Sequence, residues 1–122
     1  MSTISGEPHS RPARRMTPLY DVVSAQPSVD AGQICRNAMK LAMAVGDNRH
    51  YVVDAVLPRH FIQTAARSGI GASMLRPLFA DLEAQAPAAI EKVRQSLPQG
   101  FQEEIAATII GGFESRLRML AA

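Results

Sequence analysis

Met74-Leu75-Arg76-Pro77-Leu78-Phe79-Ala80-Asp81-Leu82-Glu83-Ala84-Gln85-Ala86-Pro87-Ala88-Ala89-Ile90-Glu91-Lys92-Val93-Arg94-Gln95-Ser96-Leu97, closed by Pro98, is the stretch that decides the fold. Within it Met74, Leu75, Leu78, Phe79, Leu82, Ala86, Ala89, Ile90, Val93 and Leu97 recur at three-and-four spacing. One face of an α-helix has that period, whereas a half-buried strand alternates in twos. Pro77 falls near the first turn, where a missing N–H is tolerated. Pro87 falls inside and is expected to kink the helix or split it in two.

Helices are expected on both sides of this one. Upstream, Pro58 suits a first helical position, Phe61, Ile62, Ala65 and Ala66 repeat at four, and Gly69 suits a left-handed cap. That predicts a helix from about Pro58 to Ser68. Downstream, a last helix is predicted from about Gln99 to Leu120, with Phe101, Ile105, Ile109, Gly112, Arg116 and Leu120 on one line. Glu103 and Glu104 in its first turn and Arg116 and Arg118 near its end suit the helix dipole. Gly111-Gly112 in mid-helix costs roughly 1 kcal/mol per glycine relative to alanine, which two closely crossing helices would justify.

Toward the N-terminus the helical period stops. Ser24 to Gly32, with Ser, Pro, Asp and Gly, has the composition of a loop. Met39–Val45 and His50–Val53 flank Gly46-Asp47-Asn48-Arg49, which reads as a hairpin with a four-residue turn. A helix over Gln33–Val45 is the rival, because Ala, Met, Lys and Leu are good helix formers. Met16 to Val23 predicts a short strand or extended loop, with Pro18 forcing Thr17 toward extended geometry. The fold class expected is therefore mainly α: a small bundle of three to four helices with a short N-terminal β-hairpin or extended segment.

Length and composition set the outer bounds. The chain has 122 residues, 47% hydrophobic and 20% charged. That suits one domain with a core of its own and excludes a large multidomain enzyme. A net charge of +2 is not a nucleic-acid signature. No run approaches the ~18 apolar residues of a membrane span, and Met1 to Arg15 lacks the apolar centre of a secretory signal. A cytoplasmic protein without membrane or direct nucleic-acid contact is expected, with residues 1–15 a disordered leader and 16–122 the folded unit.

Few residues carry chemistry. His9, His50 and His60 share no helical face, and Cys35 stands alone with no group nearby to lower its pKa, so it reads as a small buried hydrophobe. Arg59-His60, on a helix that packs Phe61 and Ile62, reads as surface or as a polar contact to the neighbouring hairpin. No phosphate-cradling glycine loop or nucleophile elbow occurs. Asp21 remains: a carboxylate at the end of an apolar extended segment, placed either as a strand-end metal ligand or as a turn-capping Asp.

Three ordered blocks bear on that choice: Thr17-Pro18-Leu19-Tyr20-Asp21-Val22-Val23-Ser24-Ala25, then Lys40-Leu41-Ala42-Met43-Ala44-Val45-Gly46, then Pro58-Arg59-His60-Phe61. In this order they resemble the C-terminal part of HipA-family serine/threonine kinases, the toxins of bacterial type II toxin–antitoxin systems. The likeness runs from Met16 to Leu120. It implies part of a helical kinase C-lobe, with Asp21 as a Mg²⁺ ligand like the aspartate of a D-F-G motif, Mg-ATP as the cofactor of the full-length family, and a HipB-like antitoxin as partner.

The chain also departs from that family. Its D-x-H-x-K-N segment, with the aspartate base and the Mg²⁺-binding asparagine, is replaced by Ser5-Gly6-Glu7-Pro8-His9-Ser10-Arg11, and the ATP-binding lobe has no counterpart. Loss of a general base costs about 10²–10⁴ in rate, and loss of positioning removes on the order of 7–11 kcal/mol. The expectation is a truncated, catalytically inactive HipA-like fragment with no cofactor and no catalytic residue of its own. The alternative is a regulatory module that binds a HipB-like antitoxin or a separately encoded N-terminal kinase half, which would complete a metal site at Asp21. An apolar face left bare by the missing lobe would also favour self-association.

Overall fold

A computed structural model of the chain describes residues 15–19 and 22–121. Among the described residues four helices and one hairpin form: α1 (Gln26–Asp30), β1 (Lys40–Val45), β2 (His50–Val52), α2 (Pro58–Arg67), α3 (Ala72–Ser96) and α4 (Glu103–Ala121). The mainly helical bundle with a two-stranded antiparallel hairpin is the expected fold class.

The hairpin forms where a helix was the rival reading, and contacts from α2 show why. Thr64 Oγ1 accepts the Gly46 N–H at 2.8 Å, and Gln63 Oε1 accepts the Asp47 N–H at 3.0 Å. Arg67 donates to the Gly46 carbonyl at 2.7 Å and pairs with Asp47 at 2.8 Å. One face of α2 thus holds the turn, and local helix propensity in Lys40–Val45 yields to tertiary bonding. Val45 pairs with His50 across the four-residue loop, and an irregularity shifts the register before Lys40 meets Val52.

Helix α2 begins at Pro58, as its fixed φ favours. Leu57 has no side-chain acceptor with which to cap it. His60 fills the reciprocal role: its Nδ1 accepts the Leu57 N–H at 2.9 Å, while its own N–H bonds the Leu57 carbonyl at 3.0 Å. Gly69, at φ +82°, ends the helix.

Helix α3 runs through Pro87 without being split. An interior proline removes its own i→i−4 bond and presses on the carbonyl of residue i−4, here Glu83, yet the helix continues to Ser96. The apolar stripe is divided, however. Ala86 is buried and Leu75, Phe79, Ile90 and Leu97 are half-buried, while Met74, Leu78, Leu82 and Val93 remain more than half exposed. At 3.6 residues per turn the stripe covers about 160° of the helix, wider than the arc that α2 and α4 cover.

Two boundaries differ from expectation. Helix α4 starts at Glu103 rather than near Gln99, because Gly100 takes φ +83° and the Phe101 N–H turns back to the Pro98 carbonyl at 3.1 Å. Of the expected line, Gly112 is buried and Ile105, Arg116 and Leu120 are half-buried, while Ile109 is exposed and Phe101 lies before the helix; Ile110 is buried in addition. The supposed loop Ser24–Gly32 contains α1. Pro27 sits in its first turn, and Gly32 follows its end at φ +75°. The Ser, Pro, Asp and Gly of this stretch serve as helix punctuation as well as loop residues.

Arg15–Leu19 and Val22–Ala25 form neither helix nor strand, so the short strand expected over Met16–Val23 is not found among the described residues. No helix of the described residues is long and apolar enough to cross a membrane.

Candidate functional site

Asp21, the sequence-derived metal candidate, and Tyr20 lie outside the described residues, as does His9. Met16, Leu19, Val22 and Val23 are each more than three-quarters exposed. Val23, Ser24 and Ala25 then line a cleft with Gln26, Met39, Ile109, Gly112, Phe113 and Arg116. Val23 to Ala25 therefore run along α4 before the chain enters α1.

A polar node closes the floor of that cleft. Gln26 is 5% exposed, and every polar end of its side chain is engaged. Its Nε2 donates to Asp30 Oδ1 at 2.7 Å, and its Oε1 accepts from Arg116 Nη1 at 3.2 Å. Its backbone N–H bonds Ser24 Oγ at 3.2 Å. Arg116 also donates to the Gly112 carbonyl at 2.9 Å and reaches Met39 Sδ at 3.5 Å. The node joins α1, α4 and the residue preceding β1. Arg116 therefore turns inward, instead of serving the end of α4 as its position in the sequence suggested.

Gly112 makes this arrangement possible. A β carbon there would lie 2.7 Å from Gln26 Cγ, closer than any real contact of that kind. The close helix crossing anticipated at the glycine pair is thus present at Gly112, where α1 meets α4. Around Gly111 nothing stands within 4 Å of a β carbon.

On the other side of Arg116 an apolar cavity of about 190 Å³ is lined by Leu41, Val53, Val56, Phe61, Met119 and Leu120. The salt bridges among the described residues are Arg36 with Asp54 at 3.1 Å and Arg67 with Asp47. Arg116 is satisfied by neutral acceptors instead. Chemically the node is a positioning device, a half-buried guanidinium that fixes one glutamine and one carbonyl. The Asp30 carboxylate in it accepts from the Gln26 amide, and the Ser24 hydroxyl accepts the Gln26 N–H.

The structure brings His50 and His60 together, with rings stacked at 3.7 Å. His60 is 3% exposed, and burial, together with the nearby His50 and Arg59, pushes its pKa below the ordinary histidine value. With Nδ1 occupied by the Leu57 N–H, this ring is part of the α2 cap, and it meets the hairpin by stacking on His50 rather than by the polar contact expected of Arg59-His60. Cys35 corrects its sequence reading: it is exposed, not buried. It precedes a short 3-10 turn, Arg36–Ala38.

No cluster of three or more His, Cys, Asp or Glu suited to a metal ion occurs among the described residues. Sequence reasoning missed Gln26 and the inward role of Arg116. The available signal was Gly112 four residues before Arg116, a gap beside a long donor. No protein-family model matches the chain.

Proposed function

We propose that this chain is the C-terminal part of a HipA-like kinase lobe that acts by offering the Asp21 segment to another protein surface and does not transfer phosphoryl groups by itself. The observation that supports this reading is the exposure of Met16, Leu19, Val22 and Val23 on both sides of Tyr20-Asp21. Apolar residues so placed lose little by meeting a partner and gain burial of about 25 cal/mol per Å². The partner would be a complementary N-terminal kinase half or a HipB-like antitoxin, in a reducing cytoplasm where the exposed Cys35 stays a thiol.

In this reading Asp21 is a Mg²⁺ ligand in waiting. Magnesium is held by one or two carboxylates together with substrate phosphates, so the asparagine and the phosphate cradle must come from the partner. Two measurements test the proposal. Isothermal titration of the chain with Mg-ATP should give no heat of binding, and micromolar affinity would overturn the inactive-alone reading. Mixing with a HipA-like N-terminal half should give phosphoryl transfer that Asp21→Ala abolishes while leaving the far-ultraviolet circular dichroism unchanged. Activity that survives Asp21→Ala would remove Asp21 from the site.

A further inference from the structure

The outward half of the α3 stripe has a pattern that the Asp21 reading does not use. At about 100° per residue, Leu78, Leu82, Ala89 and Val93 fall within roughly 60° of one another on α3, beside the arc of Ala86 and Ile90 that meets α4. Leu78, Leu82 and Val93 are more than half exposed there, and Ala89 is exposed with them. Their spacing is symmetric about the midpoint between Gln85 and Ala86: Leu78 mirrors Val93, and Leu82 mirrors Ala89. A helix whose apolar positions read alike in both directions can meet an antiparallel copy of itself with every apolar residue opposed by another.

The charges beside the stripe have the matching arrangement. Asp81 and Lys92 lie on the same flank, about 20° apart around the axis. Two antiparallel helices related by a two-fold axis place like flanks together, so Asp81 of one copy faces Lys92 of the other, and the pair occurs twice. Their offset along the axis is two residues, about 3 Å, which a lysine side chain spans. Among the described residues neither forms an ion pair within the chain. The Gln85 amide donates to Asp81 Oδ2 at 2.8 Å, bracing the carboxylate.

We propose that the exposed α3 face is the two-fold interface of a homodimer, with Leu78 packed near Val93 of the second copy, Leu82 near Ala89, and Asp81 paired with Lys92. An unrelated partner has no need of this internal symmetry, and a second copy requires it. The inference does not rest on the HipA-like reading, and the two are tested on different surfaces.

The test is sedimentation equilibrium of the full chain over a range of concentrations. The wild type should dimerise, and Leu82→Glu should weaken the dimer by at least about tenfold with unchanged helical circular dichroism. Asp81→Lys should weaken it about fivefold, and Asp81→Lys combined with Lys92→Asp, which restores opposite charges, should recover it. The charge exchange remains informative even if Leu82→Glu does not fold. A wild type that is monomeric at several hundred micromolar overturns the proposal. So does a dimer that ignores both Leu82→Glu and the charge reversal, or one that the double exchange leaves as weak as Asp81→Lys alone.

Discussion

Gly112 and Gln26 touch so closely that the glutamine Cγ would lie 2.7 Å from any β carbon added to the glycine. Gln26 cannot withdraw, because Asp30 and Arg116 hold both ends of its amide. The neighbouring Gly111 faces open space. The two glycines share one helix and one propensity, so they form an internal control. Gly111→Ala should stabilise the protein by about 0.5–1 kcal/mol through helix propensity alone. Gly112→Ala gains the same propensity but forces the node apart and should be net destabilising by about 1–3 kcal/mol. Urea unfolding of the two variants checks this, and equal shifts of the same sign would contradict the packing.

Gly46 should be equally intolerant, for two additive reasons. Its φ of +82° disfavours any side chain, and a β carbon would stand 2.9 Å from Gln63 Oε1 and 3.0 Å from His60 Cβ. Gly46→Ala is expected to cost about 2–4 kcal/mol. Because Gln63, Thr64 and Arg67 all grip this turn, hydrogen exchange should show β1 and the end of α2 losing protection together. An effect confined to the strands would separate the hairpin from α2.

The parts of the fold legible in the sequence were those with a long period or a strong stop. The α3 period, Pro58 and Gly69 each impose a local conformation that no distant contact needs to supply, whereas the Gly46–Arg49 turn is marked locally by its glycine and held by Gln63, Thr64 and Arg67 of α2. The illegible parts depended on distant partners. Helix α1 has only five residues and is too short to display a period. The inward turn of Arg116 depends on Gln26, which precedes Gly112 by more than 80 positions in the chain. Which half of the α3 stripe is covered depends on how far α2 and α4 reach. The Asp21 reading rests on resemblance alone, since a carboxylate after an extended stretch has the same pattern whether it caps a turn or binds a metal.

Cys35 offers a direct check of the loop that carries it. An exposed thiol in the folded chain should react with a chromogenic disulfide reagent to one equivalent without denaturant. Its rate should lie within about tenfold of that in the unfolded chain, because no burial slows it. Protection by several orders of magnitude would restore the buried reading.

The buried cap at His60 makes stability depend on pH in a defined direction. Burial, His50 and Arg59 lower its pKa below the 6.5 of a free histidine, so near neutrality the folded ring is neutral and accepts the Leu57 N–H at Nδ1. As pH falls through about 6.5 the unfolded chain takes up a proton that the folded chain still refuses, and unfolding gains free energy. The stabilisation is therefore complete above that value and is lost as pH falls toward the lowered folded-state pKa. Thermal midpoints should drop between pH 7.5 and 5.5, by about 4–8 °C for each kcal/mol lost in a domain of this size. His60→Gln keeps an acceptor at the same helical position but does not titrate, so its midpoint should start lower, through lost ring packing, and decline less steeply with acid. An equal acid slope in the wild type and in His60→Gln would move the pH dependence to another group, and with it the role of this histidine in joining α2 to the hairpin.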